Sequence, residues 1–574
     1  MRNLTEDHVW RRRILRCSLL SAASLLCLAV PQGQLSAQTY EEPPTAPPAA
    51  PAPPDSVDAG EVKVPPKSPP YLLSTYRSNL YAPLPAKIWK QGGIPKVINQ
   101  NEMFNNPDGR VGNHNVPGSV ITANNAFFQS LGQNGRSCVT CHNPPSGLGL
   151  ALTNIKKRFR ANLNDPLFAP VDGANCPDAV PAQYTSGSLY GGNKGKGKKA
   201  LKEAYSLLLT KGLIRIPIKI RADAEYTVEV VSDRPGCNNN ATFGKDPVTG
   251  EKILSMYRRP ILSANLRFKS PESTDGNTVA NPPTNVMWDG REPSLRTQAV
   301  SATLGHAQAL NPPTAAQIDQ IVDFETKFFT AQIIDKQARR LDANAEGGPV
   351  WLSERSTDAP QGFPPPPAFS EYNNWANLTG NARADAQASI ERGQALFNTK
   401  PLTLANVGGF NDLFPPGPPF NPLTAFPATC STCHGFPHAG SELVLPPQRD
   451  IGVGGHATAA SFNGDLAVQG FGSSPPPAND LPIFKFTCIN GAKHPFYGTQ
   501  IITNDPGKGL ITGKCSDLGQ QTVPQLRALS ARAPYFHDGS APDIGAVLDF
   551  YDQRFNINFT VQEKTDLVNF LSAL

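Results

Sequence analysis

"RSCVTCHNPP", Arg136–Pro145, places two cysteines either side of two residues, with a histidine directly after the second. The pattern returns in "ATCSTCHGFPHAG", which carries Cys430, Cys433 and His434. Composition alone yields only about a few thousandths of such a match per chain, so two matches are not coincidence. Three chemistries use paired cysteines at this spacing. A thioredoxin-like redox pair sits in a βαβ setting and has no need of the histidine. Structural zinc takes four ligands, and no second cysteine pair lies near either motif.

The third chemistry fits. Two thiols on one turn match the two vinyl groups of haem, and the adjacent histidine reaches the iron from the same face. The sequence therefore predicts two covalently bound haem c groups. Cys138, Cys141, Cys430 and Cys433 would form the thioethers, with His142 and His434 as iron ligands. The far side of each iron is less determined. The four methionines are Met1, Met103, Met256 and Met287, so none lies in the second unit. His438, His456, His494, His537 and several tyrosines remain as candidates there. After His142 no histidine follows until His306. An open or unusual iron is expected, since carriers usually fill the sixth position with Met or His.

The rest of the chain suits an exported protein. "RRRILR" (Arg11–Arg16), the apolar "CSLLSAASLLCLAV" and a small-residue cleavage point after Ala37 read as a signal peptide over 1–37. No other stretch is long and apolar enough to span a bilayer. Residues 38–95 read as a Pro-rich tether, and 58 prolines with 48 glycines in 574 residues imply long irregular loops. A net charge of +5, with no basic stripe, argues against nucleic acid as a partner. Outside the leader and the two motifs, four cysteines remain, and proximity pairs them as Cys176–Cys237 and Cys488–Cys515.

Local patterns predict a mainly α chain of two cytochrome c-like haem domains, 96–385 and 386–574. Helices are expected over "ITANNAFFQSLGQNG", Lys198–Gly212, 314–341, Ala382–Phe397 and the closing "TVQEKTDLVNFLSAL". "LIRIPIKI" and "YTVEVV" read as one small β-hairpin insertion. "GGNKGKGKK" reads as a solvated loop, because it lacks the Gly-Lys-Ser/Thr ending of a phosphate loop.

Three further stretches, "RRPILSANLRF", "VMWDGREPSLRTQAV" and "TVPQLRALSARAPYFHDGSAPDIGAVLDFY", resemble the bacterial di-haem cytochrome c peroxidase and MauG superfamily. The likeness runs over about 115–574, with much of 150–250 and 310–385 resembling insertion. It implies a reactive N-terminal haem, a C-terminal haem that stores an oxidising equivalent, and Trp288 as the bridge between them. Fourteen residues past His537 stands Tyr551, where peroxidases of the family have methionine and MauG-like members tyrosine. Tyr551 is thus implied as an axial ligand, with His494 or water as the alternative and His537 in a supporting role near the second haem.

Gln298 matches a pocket glutamine of the family. Peroxidatic members carry a glutamate where this chain has Gln308, which can act as neither acid nor base. His306, close by, is the replacement candidate. Relatives hold an interdomain calcium with an asparagine; here Arg258 and Arg259 precede Pro260, which weighs against calcium. The resemblance implies a periplasmic enzyme that takes H₂O₂ or O₂, with electrons from a periplasmic donor or a protein or organic substrate. Two other readings stay open: a di-haem electron carrier, and a secreted di-haem oxygenase resembling the rubber oxygenases.

Overall fold

The computed structural model describes residues 86–90, 92–181, 194–269, 286–355, 369–413, 425–440, 448–455 and 478–574, all within one compact unit, Tyr71–Leu574. The signal peptide, most of the tether and His456 lie outside the described residues. The tether ends earlier than the sequence suggests: Ala86–Lys90 is a helix, and its Trp89 is buried edge-on against Phe104. No described helix is long and apolar enough to cross a membrane.

Two helices anchor the second half. Ala382–Thr399 and Val561–Ala573 cross at Gly393, where a Cβ would lie 2.0 Å from Asp566 O, so only glycine permits the approach. Asp566 answers from the facing helix, accepting from Ser389 and from both arms of Arg392. Phe369, Phe397 and Phe570 pack edge to edge in the same core, with centroids 5.4–6.0 Å apart. Phe397 continues to the second motif, 6.4 Å from the His434 ring. Under the first motif lies a matching aromatic cluster of Phe127, Phe128, Phe324 and Phe328.

The described strands form six small sheets. The largest is antiparallel, in the order Asn101–Asn106, Gly109–Asn115, Phe328–Asp335, Arg339–Arg340. Its strand Phe328–Asp335 follows directly on the helix Ala315–Lys327, so the helix expected over 314–341 is only half right. Six consecutive buried residues, Phe328 to Ile333, show no burial periodicity that separates strand from helix. "ITANNAFFQSLGQNG" forms two 3-10 turns, Thr122–Asn124 and Ala126–Phe128, instead of a helix. Asn125 enforces the break by accepting from the Phe127 amide with its side chain.

The expected hairpin does not exist. Ile214–Lys219 pairs with Ile253–Arg258, while Tyr226–Ser232 pairs with Ile483–Cys488 from the second half. Alternation shows that a segment is a strand but not which strand it joins. "GGNKGKGKK" also departs from expectation, since a helix, Lys194–Ala204, starts inside it. It breaks at Tyr205, resumes over Ser206–Lys211 and stops at Gly212. Both disulfides are present, Cys176–Cys237 and Cys488–Cys515, with Cα atoms 5.2 and 6.1 Å apart. In the chain-entropy picture each stabilises by about 4 kcal/mol.

Candidate cofactor sites

The two motifs fold alike. Cys138–Thr140 and Cys430–Thr432 are 3-10 turns, each opened by a reciprocal cap, Ser137 with Thr140 and Thr429 with Thr432. The histidine amide closes the turn onto the first cysteine, His142 N to Cys138 O at 3.0 Å and His434 N to Cys430 O at 3.1 Å. His142 Nδ1 then faces Leu148 O at 3.2 Å, and His434 Nδ1 faces Ala439 O at 3.0 Å. A carbonyl only accepts, so Nδ1 carries the proton and Nε2 keeps its lone pair. Burial holds both imidazoles neutral, pulling each down to about 4.

The acceptors are set by backbone strain. Leu148 and Ala439 both adopt left-handed conformations, φ 55° and 56°, which side chains other than glycine rarely take. The same cost of order 1 kcal/mol recurs at matching places in both loops, where it turns a carbonyl toward the ring. Each histidine has a second partner, Ser263 Oγ at 2.9 Å for His142 and the Pro524 backbone for His434.

Each motif opens on its own cavity, lined at the first by Cys138, Cys141 and His142 and at the second by Cys430, Cys433 and His434. None of the four motif cysteines is in a disulfide, and burial raises the thiols of Cys138, Cys141 and Cys430, the last to about 12. Such thiols are poor redox thiolates or zinc ligands. Among the described residues no cluster of three or more His, Cys, Asp or Glu has metal-holding geometry. Two thiols outside any disulfide, a neutral histidine and a mostly apolar cavity fit a haem at each motif.

Trp288 lines both cavities. Its Nε1 donates to Arg259 O at 2.8 Å, its carbonyl accepts from the Thr522 amide at 2.7 Å, and its ring lies 5.9 Å from that of His537. The next residue, Asp289, is buried and salt-bridged to Arg258 and Arg291. Arg258 also grips Asp505, which lies 3.5 Å from His537 Nε2. A guanidinium thus fills the space between Asp289 and Asp505.

In the first cavity, Gln298 and His306 come from the helix Leu295–Gly305 and its C-cap. His306 Nδ1 bonds Asp172 Oδ2 at 2.5 Å, and Asp172 is ion-paired with the buried Arg136. The Arg136 charge and the His306 bond hold the Asp172 carboxyl below the usual range despite its burial. Asp172, Ile214 and Ile216 all line this cavity, so the segment that resembles an insertion supplies one of its walls. Gln308 is not part of the site. It is exposed, has φ 57°, and accepts from Asn134 Nδ2 at 3.3 Å.

In the second cavity, Tyr551 and His537 line the wall with His434. Tyr551 stands on the helix Ile544–Phe555 among Phe536, Phe550 and Phe555, and burial raises its phenol well above the ordinary value. Two other candidates lie elsewhere. His438 lines the first cavity, stacked on Phe268 at 5.6 Å, because the turn after the second motif crosses over to it. His494 is buried against Tyr497 at 4.4 Å and lines neither cavity.

No family model matches the chain. Over 307 residues it is 23% identical to the cytochrome-c peroxidase IdrP1 of Pseudomonas sp. (strain SCT), covering 50% of this chain and 64% of that protein, less than two thirds of its length. Among solved structures, a hydrazine synthase of Kuenenia stuttgartiensis matches 56% of this chain and 73% of its own at 15% identity, with a TM-score of 0.25. A MauG-like protein associated with microbial copper homeostasis matches 57% and 75% at 16% identity, with a TM-score of 0.27. Over half its length, then, the chain is similar in sequence to a cytochrome-c peroxidase.

Proposed function

We propose that the protein is an exported, periplasmic di-haem c-type oxidoreductase of the peroxidase kind. It would react with H₂O₂ or O₂ at the first site and share the oxidising equivalents with the second through Trp288. The observation that carries this reading is the placement of Trp288 in the walls of both cavities. Bound haem would supply the redox chemistry, and the chain supplies ligation, polarity and a fixed path between the sites.

At each site the two cysteines would hold the haem and the histidine Nε2 would be its iron ligand. Asp172 fixes the His306 ring through Nδ1, which leaves His306 Nε2 to take a proton from bound peroxide and return it. The side chain is 32% exposed, so the proton exchanges with solvent. Gln298, on the same helix, offers its amide to an oxygen in the cavity. Tyr551 would give the second iron a hard anionic oxygen, which favours higher oxidation states.

One observation favours a second reading, a di-haem electron carrier: His438 also lines the first cavity, and its imidazole would be a second candidate ligand for an iron there. Titration of the diferric protein with H₂O₂ decides between them. The peroxidase reading expects a stoichiometric spectral change at both haems. A spectrum unmoved by excess peroxide would leave the carrier.

A further inference from the structure

Four of the buried arginines face a carboxylate: Arg136 with Asp172, Arg158 with Asp165, Arg258 with Asp289 and Asp505, and Arg527 with Glu371. Arg259 and the half-buried Arg532 do not, and neither do the buried Arg215 and Arg554, but Arg259 and Arg532 are adjacent to one another. No acid among the described residues pairs with either, and the two lie close enough for the charge on Arg532 to act on Arg259. Arg259 donates to the carbonyls of Lys211, Leu150 and Arg532, and Arg532 to those of Gln525 and Arg527. Arg259 Nε and Arg532 Nη1 make no hydrogen bond among the described residues. Both residues line the second cavity, Arg259 lines the first as well, and the Arg259 carbonyl accepts a hydrogen bond from Trp288 Nε1.

Two adjacent cations, one buried and one half-buried, are costly without an anion. Burial, with the Arg532 charge second, pulls Arg259 down to about 9, and burial pulls Arg532 to about 10, so both stay charged at neutral pH. An anion in the cavity that the pair faces would offset this cost. The cavity that the pair faces already has the thiols and histidine of a haem site, and haem carries two propionate carboxylates on one edge. Carboxylate is also the group that a planar guanidinium fork binds best.

We infer that Arg259 and Arg532 form the carboxylate seat of the second site and hold a propionate of its haem beside Trp288. The inference rests on haem binding, one part of the proposed function, and not on peroxide chemistry. Arg259 would then have two roles in one residue: its side chain fixes the edge of the haem and its carbonyl fixes the bridging indole.

Spectroelectrochemical titration of the holoprotein tests it with Arg532→Gln, Arg259→Gln and the charge-keeping Arg532→Lys. Loss of a buried cation beside a haem favours the ferric state. One of the two one-electron waves should move to lower potential, by about tenfold in the equilibrium constant or ~59 mV. In Arg532→Gln the other wave should stay in place, and Arg532→Lys should keep the parent value. Should Arg259→Gln not accumulate, the less buried Arg532 carries the test. Unmoved waves, together with loss of an acetate-induced spectral change that the parent shows, would overturn the propionate assignment in favour of an added carboxylate. Unmoved waves with no acetate effect would overturn the seat altogether. Peroxide reactivity plays no part in these outcomes: a shifted wave in a protein inert to peroxide keeps the seat and removes the peroxidase reading.

Discussion

Replacing Asp172 by asparagine separates the role of this carboxylate in chemistry from its role in packing. Asp172 and Arg136 are an ion pair with side chains each 4% exposed. Removing one charge from such a pair costs about 3–5 kcal/mol. Arg136 keeps its bonds to the carbonyls of Pro166, Leu167 and Ala169, which puts the expected loss near the lower end, about 3 kcal/mol. The effect on rate has a different origin. An asparagine amide can donate to His306 Nδ1, which would move the ring proton to Nε2 and remove the lone pair facing the cavity. Positioned acid–base groups contribute roughly 10²–10⁴-fold, and the peroxide reaction should slow within that range. Stopped-flow mixing of the diferric protein with H₂O₂ measures the rate per haem, and urea unfolding measures stability on the same sample. Gln308→Ala, at an exposed position outside the cavity, should alter neither. If Asp172→Asn loses stability but reacts at the parent rate per haem, the His306–Asp172 pair is structural and the proton role is wrong.

Further outcomes follow from the same geometry. Glu102 is fully buried, and desolvation raises its carboxyl from 4.5 to about 7. Because the folded value is the higher one, its contribution to stability is complete below about pH 4.5 and disappears as pH rises through about 7. The loss is about 3 kcal/mol. Glu102→Gln should flatten that part of the pH dependence, and parallel denaturation curves at pH 5 and pH 8.5 would rule the effect out. Trp288→Phe removes the bond to Arg259 O but keeps an aromatic ring, so both haems should remain attached while charge sharing between them slows; freeze-quench spectra after peroxide report this. Tyr551→Phe should change the low-spin ferric signal of the second haem, and an unchanged EPR spectrum would retire that ligand.

The chemistry of this chain was legible where it is written in adjacent residues. The cysteine–histidine motifs stood out, and the Ser/Thr caps that fold them into 3-10 turns were there to be read as well. Cysteine arithmetic also reached both disulfides, since four residues remained and each partner was the nearer one. What escaped were contacts made by distant segments. Asp172 lies 134 residues from His306, and nothing local to either marks the pair. The strand Tyr226–Ser232 finds its partner at Ile483–Cys488, so the expected hairpin was the cheapest local solution and not the real one. His438 follows the second motif by four residues yet lines the first cavity, because chain order does not say which way a turn leads. Leu148 and Ala439 illustrate a different limit: their left-handed backbone is imposed by the loops around the histidines, and neither residue type advertises it.

The central claim is that one chain holds two unlike haems, one open to a small oxidant and one closed by a protein ligand. Low-temperature EPR of the purified diferric protein addresses it most directly. The account expects one high-spin and one low-spin ferric signal in equal amounts. Two low-spin signals would mean that both irons are closed, with His306 or His438 at the first, and would contradict it.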